Sequence, residues 1–200
     1  MVNTEEKILS AAREVFMTKG LDGARMKEIA EKAGINKALL HYYFRSKEKL
    51  FLAVFENAVQ KLFPSIIRIF DEEGSLADKL KSFYEIHLGF LIENPMIPGF
   101  IITEVSRRPE SLKGFIDHFR KADLYGNFQS LIQKSIEKGE IKDIDPAQLL
   151  LNLISLSVFP IISEHLVSGI IGLSHAEYKD LLIARKKEAA EFVISSIMKE

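Results

Sequence analysis

Between Arg25 and Leu50 the chain gathers side chains suited to one task, holding a polyanion. Seven cations (Arg25, Lys27, Lys32, Lys37, Arg45, Lys47 and Lys49) stand against three acids, Glu28, Glu31 and Glu48. The whole chain has 27 basic and 28 acidic residues, so this excess is local. Residues 1–50 hold 10 basic and 7 acidic side chains, and residues 51–200 hold 17 and 21. A local excess is what a phosphate-binding face needs, because affinity for a duplex comes largely from neutralising phosphates and releasing counterions. His41, Tyr42 and Tyr43 lie among the cations, and their polar tips can reach phosphate oxygens. Charge alone also fits a solvated helical hairpin with ordinary surface lysines.

Other chemistry has weaker support. The five histidines (His41, His87, His118, His165 and His175) show neither H-x-x-H nor H-E-x-x-H spacing. Glu164 and His165 are adjacent, so on a helix their side chains point about 100° apart and do not converge on one ion. There is no G-x-S-x-G, no P-loop and no G-x-G-x-x-G. No metal site, cofactor or enzymatic activity is expected.

The basic stretch needs elements to position it, and its apolar spacing supplies them. Met26, Ile29, Ala30 and Ala33 fall on one face of a short helix. Gly34 can stop that helix in the left-handed conformation, where a Cβ would clash. Asn36 can cap a second helix that buries Leu40, Tyr43 and Phe44, and Ser46 caps a third. Two short helices joined by a tight Gly-containing turn make a helix-turn-helix, a DNA-reading module.

The residues Ile8, Leu9, Ala11, Ala12, Phe16, Gly20, Ile29, Ala30, Ala33, Gly34, Ile35, Tyr43, Phe44, Ser46, Lys47, Glu48 and Leu50 stand in an order that resembles the N-terminal domain of the TetR family of bacterial repressors. The resemblance covers roughly residues 4–55. It implies an all-α fold in which an N-terminal three-helix helix-turn-helix domain (1–46) binds DNA. A C-terminal helical domain (47–200) would bind a small molecule and the partner subunit of a homodimer. The motif and its charge predict that Lys37, Leu39 and His41 reach into the major groove or its edge, while Arg25, Lys27, Asn36, Tyr42 and Lys47 mainly hold phosphates. Several positions depart from the family pattern. Arg25 stands where Ser or Thr usually opens the first helix of the motif, which loses a cap and gains a longer cation. Asn36 replaces a frequent Ser, Ala38 a frequent Gly, Leu39 a small polar residue and His41 a frequent Tyr. The operator sequence therefore does not transfer from relatives.

The remaining chain reads as helices throughout. Asn3 and Glu6 suggest a capping box for a first helix over Thr4–Lys19, with Ile8, Ala12, Val15 and Phe16 inward and Gly20 as its end. From Ser46 a long helix buries Leu50, Phe51, Val54 and Phe55, and Pro64 must either kink or split it. Ser75 starts another helix, which stops before Asn94. A bend over 95–99 leads to a short helix, and a longer one runs from about 109 to Lys138 before Gly139. Asp145 and Pro146 start a helix to Ser168, and Ser174 caps the last one, to about Met198. No stretch is apolar enough for a membrane span, so no membrane partner is expected. The polar, acidic N-terminus predicts no signal peptide, and the absence of Cys fits a reducing cytoplasm.

A helix apolar nearly all round must be buried all round, which predicts that 146–168 packs on its own domain and on a second copy. With 175–198 it would form a four-helix interface through Leu150, Ile154, Val158, Ile162, Phe192 and Ile197. Twelve of the 14 Phe follow residue 50, so an aromatic-lined ligand site is expected near Tyr84, His87, Phe90, Phe100 and His118. Ordinary core packing of these side chains is the competing reading. Together these features describe a DNA-binding transcriptional regulator, a repressor that holds a palindromic double-stranded operator as a dimer. A small apolar or aromatic effector would release it by tilting the fourth helix. Two alternatives remain: a protein of the same fold without a small-molecule effector, acting through a protein partner, and an all-α enzyme.

Overall fold

The computed structural model describes residues 3–71, 73–107 and 113–199, and every extended element among them is an α-helix. In chain order they are α1 (Thr4–Gly23), α2 (Met26–Lys32), α3 (Lys37–Tyr43), α4 (Lys47–Asp71), α5 (Leu76–Glu93) and α6 (Met96–Arg107). Then come α7 (Lys113–Lys121), α8 (Leu124–Glu137), α9 (Pro146–Ile162), α10 (Glu164–Ile171) and α11 (His175–Ile197). The chain divides into two compact units, Met1–Lys61 and Leu62–Glu200. That division falls inside α4 rather than before it. The reason is packing: Leu50 and Phe55 of α4 are fully buried, and the Phe51 ring meets that of Phe16 in α1 edge-on, 4.8 Å between centroids.

In the first unit, α1 begins with the expected capping box. Asn3 N–H donates to Glu6 Oε2 at 3.2 Å, while the Asn3 side chain accepts from Glu5 N–H at 3.4 Å. Gly20 adopts φ 68 and ψ 176 and breaks the helical dihedrals, although one further turn follows to Gly23. Ile8, Ala11, Ala12, Val15 and Phe16 form the buried stripe.

The second unit is built around α5. Leu76, Leu80, Phe83, Tyr84 and Leu88 of that helix enclose a core with Phe128 and Ile132 of α8, Leu149 and Leu153 of α9, and Ala189, Ala190 and Val193 of α11. Small residues on α11 allow close approach to α5, and Lys186 Nζ meets Glu85 Oε1 at 2.8 Å beside that seam. Lys79 is buried, and its ammonium donates to the carbonyls of Ile69 (2.9 Å) and Phe70 (3.2 Å), two of the acceptors that the end of α4 leaves without helical donors. Asp145 caps α9 by accepting from Gln148 N–H at 2.9 Å, and Ser174 and Glu177 form a capping box for α11.

Both internal prolines lie within helices, Pro64 in α4 and Pro160 in the last turn of α9. Proline lacks an N–H, so Pro160 frees the carbonyl of Leu156 one turn back. Arg185 Nε of α11 donates to that oxygen at 3.1 Å, and Tyr178 Oη donates to the Pro160 carbonyl at 2.8 Å.

Three expectations need correction. The helix expected over 146–168 breaks at Ser163, and its two parts, α9 and α10, are bent by 74°. There the Ser163 hydroxyl competes for the Phe159 carbonyl at 2.6 Å, which favours a local turn over a continued helix. The helix expected up to Lys138 is interrupted at Asp123, which takes φ 46, in the left-handed region. Gly126 permits this, because a Cβ there would lie 2.5 Å from the Asp123 carboxylate. Ile197, expected at a subunit interface, is instead 3% exposed and part of the core of its own chain. It is carried inward where Lys142 N–H bonds its carbonyl at 2.7 Å and Ile141 pairs with Met198.

Candidate nucleic-acid interface

The turn between α2 and α3 follows from two residues. Gly34 takes φ 70, so Gly34 N–H reaches the Glu31 carbonyl (3.1 Å) and Ile35 N–H the Ala30 carbonyl (3.0 Å). This pair of bonds is the Schellman closure of α2. Asn36 then caps α3, its Oδ1 accepting from Leu39 N–H at 2.8 Å. Ile29, Ala30, Leu40 and Phe44 are buried and fix both helices from beneath. Ser46 Oγ accepts from Lys49 N–H at 3.1 Å and so starts α4. Arg25 stands at the N-cap of α2 without a side-chain cap bond, as the departure from Ser or Thr requires.

With its anchors inward, α3 presents the opposite face. Lys37, Ala38, Leu39, His41 and Tyr42 are all exposed, Tyr42 by 81%. Arg25, Lys27 and Asn36 are exposed as well. Tyr43, expected inside, is 38% exposed, and its ring meets that of Tyr42 edge-on at 5.7 Å. Seven residues make only two turns, so Leu40 and Phe44 fill the narrow inward stripe and Tyr43 is left at its edge. Its hydroxyl is a further group for phosphate that the apolar pattern had assigned to the core.

Charge on this surface is partly compensated. Lys27 lies 3.7 Å from Glu31, Lys32 2.7 Å from Glu14 and Lys19 2.7 Å from Glu28. Lys47 is half-buried, and its ammonium donates to the Asp22 carbonyl at 3.2 Å. One of its three donors is thus used inside the unit, tying the loop after α1 to the start of α4. The arrangement offers an exposed short helix with polar and apolar tips, flanked by cations: the parts needed to enter a major groove and hold the backbone beside it.

The residues expected around a ligand separate into groups. Tyr84 is fully buried, its hydroxyl makes no hydrogen bond among the described residues, and burial pushes its pKa up to about 12 despite the opposing charge of Arg185. His87 is half-buried as a residue, but its Nδ1 is sealed from solvent and unbonded among the described residues, and burial pulls its pKa down to about 4. Phe100 is buried. Phe90 packs with Leu91, Ile161, Tyr178 and Leu182, a cluster separate from the main core. The side chain of His118 lies outside the described residues. Arg185, absent from the sequence-based set, is held by the carbonyl that Pro160 frees, and its charge opposes the upward shift at Tyr84. Nothing in its own polar surroundings in the sequence signals this.

Among the described residues no single helix is long and apolar enough to cross a membrane. Residues 8–54 match the family described as bacterial regulatory proteins, tetR family. The chain is 29% identical over 146 residues to the HTH-type transcriptional regulator RutR of Escherichia coli, covering 73% of this chain and 68% of that one. It is 24% identical over 185 residues to the HTH-type transcriptional repressor NicS of Pseudomonas putida, covering 87% and 83%. A Saccharomonospora viridis protein solved in complex with choline shares the fold, with a TM-score of 0.77 at 20% identity over 98% of both chains. The helix-turn-helix geometry and this match agree: residues 8–54 form a DNA-binding domain of the kind found in bacterial regulatory proteins of the tetR family.

Proposed function

We propose that this regulator is a repressor that binds a palindromic operator as a homodimer and leaves it when a small molecule occupies the C-terminal unit. The observation that carries the reading is the rigidly capped α3 with Lys37, Leu39, His41 and Tyr42 all on its exposed side. In this reading residues 1–46 read DNA, and 47–200 bind effector and partner, in the cytoplasm where the operator lies. Lys37, Leu39 and His41 meet base edges, while Arg25, Lys27, Asn36, Tyr42 and Lys47 hold phosphates. Repression is the role named for NicS, and a bound small molecule accompanies the same fold in the Saccharomonospora viridis protein.

Support for the dimer comes from apolar surface that the chain does not cover itself. Ile154, Phe159 and Ile162 of α9 are 41%, 56% and 45% exposed, and Phe192 of α11 is 65% exposed. Leu150 and Val158 lie half-buried on the same α9 stripe. A monomer rarely leaves so many large apolar groups together in water. A twofold, self-complementary contact also suits a protein that reads paired half-sites.

Selection of bound duplexes from a random pool, followed by footprinting, tests the reading. The expected result is an inverted repeat with half-sites about 34–36 Å apart centre to centre. Enrichment of no sequence, or of a single half-site, would remove the dimeric repressor.

A further inference from the structure

α2 offers its own unit little apolar surface, since Ile29 and Ala30 are its only buried side chains. Two inward residues give a seven-residue helix few ridges to lock into the grooves of α1, so packing alone leaves its register loosely set. Two ion pairs span the same contact. Lys32 Nζ of α2 lies 2.7 Å from Glu14 Oε2 of α1, and Lys19 Nζ of α1 lies 2.7 Å from Glu28 Oε1 of α2.

The order of charge along the two helices is reciprocal. On each the acid precedes the base, by five residues on α1 and by four on α2. Each acid meets the base of the other helix, which an antiparallel crossing allows in one register only. A slide of one turn, about 5.4 Å, would set Glu28 against Glu14 or Lys32 against Lys19, depending on its direction. Like charges would then face each other, so the sequence opposes the wrong registers as well as favouring the right one. All four side chains stay partly in water, where such pairs add little to stability. Their effect lies in position.

That position reaches the DNA-reading helix through a turn without slack. Gly34 and Ile35 donate back to the carbonyls of Glu31 and Ala30, and Asn36 caps α3 directly after them. At the other end of α2, Lys19 and Glu28 line an open cleft together with Arg25 and Lys27. We infer that Glu14, Lys19, Glu28 and Lys32 are positioning residues for DNA binding. Lys19 and Lys32 hold α2 on α1 in register and do not hold phosphate. The inference rests on the reading of α3 as the element that enters DNA, and adds what sets its place.

Charge reversal in the full chain separates a clamp from a phosphate contact. Glu14→Lys and Lys32→Glu each bring like charges face to face, and the double variant restores an opposite pair at unchanged net charge. Both single variants should bind the selected operator about tenfold more weakly, a loss like that of one base position. The double variant should recover parental affinity and the parental slope of log affinity against log salt. If Lys32 held a phosphate, Glu14→Lys would bind as well as the parent or better. The double variant would then stay weak, with a slope smaller by about 0.9. Either of those results, or a double variant that fails to recover, would overturn the inference. Lys19→Glu with Glu28→Lys tests the second pair in the same way. Melting by circular dichroism shows which variants are folded at the assay temperature. Should a reversal not fold, Glu14→Gln removes the pair without repulsion, and it should weaken operator binding at an unchanged slope. Parental affinity in that variant would be equally fatal. Selection of no operator by the parent would strike the repressor reading instead. The slopes on a random-sequence duplex would then decide, a parental slope in the double variant upholding the clamp and one smaller by about 0.9 removing it.

Discussion

Leu39 and Lys47 illustrate how differently two side chains of one motif should affect binding. Leu39 is 37% exposed on α3, and its methyl groups can pack only on an apolar base feature such as the thymine methyl. Leu39→Thr should therefore change which sequence is selected, with affinity for the parent site falling by about 1–3 kcal/mol. A variant that still selects the parent sequence would move the recognition face elsewhere. Lys47 should act on all duplexes alike. Lys47→Ala should reduce the slope of log affinity against log salt by about 0.9, one phosphate contact. An unchanged slope would confine Lys47 to its bond with the Asp22 carbonyl. His87 makes a third case, this time on stability. Its pKa is about 4 in the fold, against 6.5 for the free side chain, because burial disfavours the cation. As pH falls below about 6.5 the unfolded chain takes up the proton first, so stability is intact above that value and is lost toward pH 4. The loss should be up to about 1.4 kcal/mol per pH unit. Urea unfolding of the parent and His87→Gln at about pH 7.5 and about pH 5 checks this, and equal losses in both proteins would exclude His87 as the source.

Most helix ends were legible in the sequence because a cap is a local event. Asn3, Asn36, Ser75, Asp145 and Ser174 each accept from a backbone N–H two or three residues on, and the residues that do this can be read without the fold. Gly34 belongs to the same class. Its φ of 70 lies where a side chain is strained, yet a Cβ added there would meet no atom within 4 Å, so Gly34→Ala should cost backbone energy alone. About 1–2 kcal/mol is expected, seen as a lower melting temperature. Operator affinity should fall with it if the Schellman closure sets the angle of α3. Normal operator affinity in the destabilised variant would mean that Leu40 and Phe44 hold that angle by themselves. What escaped the sequence depends on partners distant along the chain. The break at Asp123 needs Gly126 to make room, and the inward turn of Ile197 needs the strand-like contact with residues 141 and 142. Arg185 stands where it does because of Pro160, 25 positions earlier on another helix. At the DNA-reading element the burial expected for Tyr43 failed, since a two-turn helix has too narrow an inward stripe to bury two rings and a leucine.

For the whole molecule, assembly and switching are the properties to test. Phe192 at 65% exposure and Ile154 at 41% are better probes of the dimer than Val158, which also packs within its own chain. Phe192→Lys should sediment as a folded monomer and lose operator affinity, because half-sites are no longer held in pairs. A dimer of unchanged strength would take α11 out of the interface. Switching is the larger matter. α4 is one helix from Lys47 to Asp71, starting beside the recognition motif and ending where Lys79 holds its last carbonyls. In the proposed dimeric repressor, a molecule that prefers one setting of that helix would bias the spacing of the two recognition helices, and a palindrome accepts only one spacing. Tight binding alone releases nothing, because an effector acts only through the difference in its affinity for the DNA-competent and released states. That difference is typically about 1–3 kcal/mol, a factor of roughly 5–150. Linkage then fixes a reciprocal requirement: saturating operator must weaken effector binding by the factor with which effector weakens operator binding. The measurement is the effector's dissociation constant on the dimer alone and on the dimer held by excess operator, at one salt concentration. The expected ratio equals the drop in operator affinity caused by saturating effector. Equal dissociation constants in the two titrations would sink the mechanism, since a ligand blind to the DNA-bound state has no means of shifting it.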